Sequence, residues 1–393
     1  MAATSTAEQL LAAVREIEPI IRRHAPDAER DHRLARPVVD AMRDAGLFRL
    51  WRPAAFGGHE ADPTTGARVV EEVSRIDSAA GWNLMISLST EFSGAWFSEE
   101  GAADTFGDPN TIMGGSFNPP RRATPVDGGL RVTGRTPFAS GIHQATWVTG
   151  LAQVADGDDV RLGPDGEPVT VLTLVPATEV AIVENWNTLG MRGTGSHDAV
   201  MTDVFVPAHR AVLWVPLEKA SPVYAGPLYR LTLWPAVALL AVPALGVARA
   251  AIDALVELAT VKTPAFTKRP LRDRSVVAAQ LARAEAVSGA ARAYLHRTLD
   301  EVYAVAVAGR PITMVHKVAV QLAATNTVLA AAEAVDLVHA AVGASGIREE
   351  QPFERHFRDA HVLTQHAFVC ASRYEDAGRS MMGGDPEWGF FAF

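Results

Sequence analysis

The sequence predicts a mainly helical α+β fold, with a β-rich middle set between two helical regions. Three observations carry this. Residues 1–110 and 219–393 place apolar side chains at helical spacing, as in EQLLAAVREIEPIIRRHA and ARPVVDAMRDAGL. Residues 111–218 break into short β-rich runs (GLRVTGR, TWVTGLAQV, VTVLTLVP, DAVMTDVFVP) between turn clusters such as VDGG, DGDD and GPDGEP. A chain of 393 residues is also long for a single core, so two or three packed subdomains are expected.

Taken in order, residues 1–110 form the first helical domain, broken by the loop LWRPAAFGGHEADP with Gly57, Gly58 and two prolines. Its start acquires Glu8 and Arg15 too early for a signal peptide. The evenly spaced strands of 111–218 suggest a small antiparallel barrel or sandwich. From 219 the helices are long and alanine-rich. Val328, Val335, Val338 and Val342 fall on one stripe, and the alanines around them allow the close approach of a helical bundle. LTLWPAVALLAVPALGVA, residues 231–248, carries no charge. Pro235, Pro243 and Gly246 interrupt it, and it barely reaches bilayer length, so a buried bundle helix is expected rather than a membrane anchor.

Composition narrows the function. A 48% hydrophobic and 21% charged chain is globular rather than disordered. Net charge is −9 with no long basic run, which excludes a phosphate-neutralising nucleic-acid surface. Cys370 is the single cysteine, so no intrachain disulfide is possible and a reducing cytoplasm fits best.

Short motifs alone say little. GMRGTGS, residues 190–196, lacks the preceding strand and following helix of a dinucleotide fingerprint and reads as a Gly-rich turn. His356, His361 and His366 recur every five residues. On a helix that spacing turns the side chain by about 140°, so no shared metal is expected.

Four segments in order resemble the acyl-CoA dehydrogenase fold: GLFRLWRPAAFGGHEADP, GRTPFASGIHQATW, NTLGMRGTGSHDAVMTDVFVP and GASGIREEQPFERHFRDAHVLTQH. The resemblance covers nearly the whole chain. It implies an N-terminal helical domain, a middle antiparallel β-barrel or sandwich and a C-terminal four-helix bundle. Where many such dehydrogenases continue from the RDA segment into Tyr-Glu-Gly-Thr, this chain has His366, Ala367, Phe368 and Val369. The proton-abstracting glutamate is therefore replaced by alanine. Together with DSAAGW (77–82), FASG (138–141) and the RYEDAGRSMMG run (373–383), this resembles the oxygenase components of two-component flavin-dependent monooxygenases.

That branch implies a cytoplasmic homotetramer that takes reduced FMN from a separate reductase, with FAD as the other candidate flavin. It would react with O2 through a C4a-hydroperoxide and hydroxylate a small phenolic, aromatic or polyketide-type substrate. It implies Ser140 beside flavin N5, and His366 as a base of near-neutral pKa or as a group orienting substrate. Ser116, Phe117, Asn118, Phe138, Gly141 and Arg192 would line the flavin. Arg269, within the basic group Lys268, Arg269, Arg272 and Arg274, would meet its phosphate from a neighbouring subunit. Trp82 and His143 would face substrate. Each has a plainer role as a core, turn or solvated residue. An N-oxygenase of an amino sugar, an FAD-dependent acyl-CoA dehydrogenase with a relocated base and a redox-inactive binding module are the rival readings.

Overall fold

A computed structural model describes residues 6–216 and 221–393. The expected boundary between residues 218 and 219 lies outside the described residues.

The first helices are α1 (Thr6–Asp31), α2 (Arg36–Asp44), α3 (Pro63–Ile76), α4 (Ser78–Glu91) and α5 (Glu99–Phe106). Their starts are written locally. Asp62 accepts from the backbone N–H of Thr65 at 2.9 Å, with Pro63 in the first turn of α3. Asp77 caps α4 through Ala80 N–H at 2.8 Å, and Ser98 caps α5 through Gly101 N–H. In each case a short polar side chain satisfies a helix N–H that has no partner within the helix.

The middle region forms β1 (Met113–Gly115), β2 (Arg121–Val126), β3 (Gly129–Thr136), β4 (Trp147–Asp156), β5 (Asp159–Val160), β6 (Thr170–Pro176), β7 (Ala181–Val183), β8 (Asp198–Pro207) and β9 (Ala211–Leu213). The sheet runs β7-β8-β3-β2-β4-β6-β9, with β1 and β5 paired to β4. Most pairs are antiparallel, as the hairpin spacing implies. β1 and β2, however, both run parallel to β4, so the sheet is mixed. Those two pairings join segments distant in sequence, which no hairpin signal announces. Val132, Val148, Ala152, Val171 and Met201 fill a core belonging to this sheet alone.

The chain then returns to helices: α6 (Trp234–Val261), α7 (Ser275–Val307), α8 (Met314–Val342), α9 (Phe353–Leu363) and α10 (Arg373–Met381). The valine stripe of α8 is buried. Among the described residues two helical segments, Trp234–Val261 and Met314–Ile347, are long and apolar enough to cross a membrane. In α6 the apolar window is 72% buried against neighbouring helices, the environment of a core helix. One hydrophobic core runs through both helical regions, joining Val70 and Val73 of α3, Leu84 of α4, Leu245 of α6 and Val335 of α8. The functional side chains gather where this shared helical core meets the sheet.

Candidate active site

Helix α4 and two turns from the sheet region meet at Ser140, and the segment after α9 reaches the same Trp82 from its other side. The turn after β3 carries Phe138, Ser140 and Gly141, and an isolated bridge pairs Ser140 with Gly115 at the end of β1. Trp82 comes from the first turns of α4, and its indole N–H donates to Ser140 Oγ at 3.1 Å. Ser140 Oγ lies 2.7 Å from Ser196 Oγ, which lies 2.8 Å from Thr194 Oγ1. Thr194 Oγ1 donates to the carbonyl of Met191 at 2.8 Å. The GMRGTGS segment is thus a turn, as its sequence context implies, but its hydroxyls converge on Ser140.

His366 lies beyond the C-terminus of α9, which ends at Leu363, and not on the helix itself. In the turn that follows, Val369 and Cys370 N–H both donate to the His366 carbonyl. The imidazole stands edge-on to Trp82 with ring centroids 5.3 Å apart, and 5.7 Å from Phe368. Burial against these rings pushes its pKa down to about 4. The near-neutral value expected of a histidine base is therefore not what this enclosure supplies, because a charged imidazolium loses its hydration there. Phe368 N–H approaches His366 Nδ1 at 3.4 Å, so Nδ1 accepts and the neutral ring carries its proton on Nε2. Among the described residues Nε2 has no hydrogen-bond partner. Ala367 beside it is exposed.

Around Gly141 lies a set of buried polar atoms without partners. Asn83 is 1% exposed, yet neither of its amide atoms is hydrogen-bonded, and Gln144 Nε2 and His143 Nε2 are likewise orphaned. Gly141 has φ +74°, and a Cβ there would stand 3.2 Å from Gln144 Nε2 and 3.5 Å from the Asn83 carbonyl oxygen. Buried donors and acceptors left open are costly unless a ligand completes them. Beside them Phe138 holds φ +58° and is 63% exposed, edge-on to Trp186 at 5.8 Å. An apolar platform flanked by alternating donors and acceptors fits the face and edge of an isoalloxazine ring.

Other expected positions divide. Phe117 packs 5.7 Å from Trp214, Ser116 is half-buried and Asn118 is exposed. His143 sits edge-on to His197 at 5.1 Å, where burial and that neighbour push its pKa down. Arg192 turns away to α1: its guanidinium meets His32 Nε2 at 2.9 Å and lies 4.0 Å from Glu29. Arg269 is exposed in the loop before α7, and the structure brings it to none of the other expected site residues within this chain. Sequence reading passed over Asn83 and Gln144, whose only signal was position next to Trp82 and His143. It also passed over the C-terminal aromatics. Trp388 and Phe390 each stand within 5 Å of Phe368, walling the His366 side of the site.

The scaffold behind the site is ionic. Asp359 of α9 accepts from Ser78 Oγ at 2.5 Å and from Met191 N–H at 2.5 Å. Arg355 binds Asp77 at 2.6 Å, and Arg358 reaches Glu29, Glu354 and the Leu189 carbonyl. A Cβ on Gly190 would stand 2.6 Å from the Arg358 backbone, so only glycine lets this turn lie directly on α9. A cavity of about 710 Å³ opens here between α1, α3, α6 and α9. Its walls combine these charged side chains with apolar ones such as Ile76, Val247 and Ala254, and neither Ser140 nor His366 lines it.

The helical, β, helical order with a mixed sheet between two helical regions is the architecture of the acyl-CoA dehydrogenases. Residues 4–101 match the family model for the acyl-CoA dehydrogenase N-terminal domain, and residues 238–370 match that for the C-terminal domain. The chain is 32% identical to indole-3-acetate monooxygenase from Pseudomonas putida, over 98% of this chain and 95% of that one. It is 29% identical to the oxygenase subunit HsaA, a flavin-dependent monooxygenase of Rhodococcus jostii, covering 89% and 91%. The structure of XiaF from a Streptomyces species, in complex with FADH2 and glycerol, superposes with a TM-score of 0.88 at 26% identity, covering 97% and 96%. The chain belongs to the acyl-CoA dehydrogenase family, in its branch of flavin-dependent monooxygenases.

Proposed function

We propose that this protein is the oxygenase component of a two-component system and hydroxylates a small aromatic or phenolic substrate. In this reading it uses reduced FMN delivered by a separate reductase, and works as a cytoplasmic homotetramer. The observation that carries the proposal is that Trp82 joins the two sides of the site, its indole N–H on Ser140 and its ring edge-on to the neutral imidazole of His366, among further aromatic rings. The relatives named for indole-3-acetate and the HsaA oxygenase support the class of chemistry.

When bound, the reduced flavin supplies the activation of dioxygen for transfer to substrate. Phe138 would carry its face, and Ser140, Asn83 and Gln144 would meet its polar edge. Trp82, Phe368, Trp388 and Phe390 would exclude water from around a bound flavin and substrate. His366 Nε2–H would donate to the substrate oxygen and hold the ring to be hydroxylated in place. Removing a phenol proton is a poor task for this buried imidazole. A phenol with pKa about 10 facing a base at about 4 is uphill by roughly 8 kcal/mol. Orientation and polarisation are its better-supported roles.

The test supplies the protein with reduced FMN from an unrelated reductase, isotopically labelled O2 and a panel of phenols and indoles. One labelled oxygen atom in a hydroxylated product is expected. Hydrogen peroxide alone from every substrate, together with anaerobic bleaching of bound FAD by an acyl-CoA, would overturn the reading in favour of a dehydrogenase.

A further inference from the structure

We propose that Ser196 and Thr194, acting through Ser140, make this site select a flavin that carries hydrogen on N5 over one that does not. The inference rests on the functional reading above, with flavin N5 at Ser140 as the family resemblance implies. It goes further in assigning a direction to the hydroxyl chain and a selectivity to that direction.

The chain has two ends of opposite kind. At one end the indole N–H of Trp82 can only donate, here to Ser140 Oγ at 3.1 Å. At the other the Met191 carbonyl can only accept, here from Thr194 Oγ1 at 2.8 Å. That carbonyl also receives Trp186 Nε1–H at 3.1 Å, and Asp359 holds the same residue through its N–H, so the end point is fixed from two sides. Between the ends stand three hydroxyls with one proton each. Thr194 gives its proton to Met191, so the 2.8 Å contact with Ser196 needs the Ser196 proton. The 2.7 Å contact of Ser196 with Ser140 then needs the Ser140 proton. Any other arrangement leaves one short oxygen–oxygen contact without a hydrogen. Ser140, Ser196 and Thr194 are 4%, 3% and 2% exposed, so water does not make up the loss.

Ser140 therefore presents a lone pair to the cleft and keeps its proton turned inward. Oxidised flavin has at N5 only a lone pair, which would meet another lone pair. Reduced flavin has N5–H, which donates into Ser140 Oγ. Ser196 and Thr194 are positioning residues: neither needs to touch the flavin to set this preference. One hydrogen bond gained or lost is worth about a tenfold change in affinity.

The experiment measures Kd for oxidised FMN, and for dithionite-reduced FMN under anaerobic conditions, in the whole protein and its variants. Ser196→Ala removes the acceptor of the Ser140 proton. Thr194→Val, nearly the same shape, removes the acceptor of the Ser196 proton and lets the chain reverse. Both should lower the ratio of oxidised to reduced Kd by about tenfold, and the midpoint potential of bound FMN should fall by about 30 mV. Thr194→Ser, which keeps the hydroxyl, should hold the wild-type ratio. Flavin binding with an unchanged ratio in both Ser196→Ala and Thr194→Val overturns the inference alone. Wild-type protein that binds neither form of FMN overturns the functional reading and the inference with it.

Discussion

Asp359 and His366 stand at the middle of α9 and just past its end, and the structure treats them in opposite ways. Asp359 is 1% exposed and fully engaged, with Ser78, Met191 and Arg355 around it. Burial alone would push the Arg355 guanidinium down, but Asp77, Asp359 and Glu29 together hold it above the ordinary arginine value. His366 is enclosed as well, yet only Nδ1 meets a donor and Nε2 meets nothing among the described residues. A buried polar group with every valence filled fixes a shape. One left open in a cleft is available to a ligand.

The sharpest way to break this contrast is at His366. His366→Ala should lower hydroxylation at least a hundredfold while flavin binding persists. His366→Asn keeps an N–H donor and should retain more activity than the alanine variant. Equal loss in both would point to a base instead of an orienting group. Product formation per flavin oxidised, measured alongside peroxide release, reads both.

Asp359→Ala should act on stability instead. It leaves the Ser78 hydroxyl and the Met191 N–H without their acceptor, while Arg355 keeps Asp77, and should cost about 2–5 kcal/mol in denaturant unfolding. A cost below about 1 kcal/mol would show that the network does not hold α9 to the sheet.

Acid titration sharpens the comparison further. Burial pushes His366 to about 4 and His356 to about 3, against an ordinary value near 6.5. Both groups bind protons less readily folded than unfolded. Their contribution is therefore fully present above pH 6.5 and is lost as pH falls toward about 4. His366→Ala should make unfolding free energy less dependent on pH between 6.5 and 4 than in wild type.

The smallest effect is expected at Arg121, the first residue of β2. It is a buried guanidinium whose three nitrogens all lack partners, with a pKa pushed down by burial to about 10. Arg121→Met should leave stability within about 1 kcal/mol of wild type or raise it, because replacing a buried charge by an apolar chain of similar length is often neutral or favourable. A large loss in thermal unfolding would show that this charge has a partner after all.

Much of the architecture was legible because periodicity and punctuation are local. Asp62-Pro63, Asp77 and Ser98 mark helix starts by chemistry within one turn, and the VDGG and GPDGEP clusters mark strand ends. Ser140, Trp82 and His366 were legible only through their likeness to a family pattern, since nothing in their spacing links them. Arg192 was named for its place in a Gly-rich turn, and only the fold shows that its guanidinium meets His32 and lies near Glu29. Asn83 and Gln144 carry no motif. They emerge only when their amides are seen to lack partners.

By itself, then, the sequence determined the helical, β, helical order and the burial of the valine stripe on α8. Those features depend on residue type and near-neighbour spacing, which the linear chain contains. The tertiary structure alone decided that β1 and β2 run parallel to β4, that His366 titrates near 4 and that three hydroxyls align between Trp82 and Met191. Desolvation and hydrogen-bond direction belong to atoms brought together from distant parts of the chain, and no local pattern encodes them.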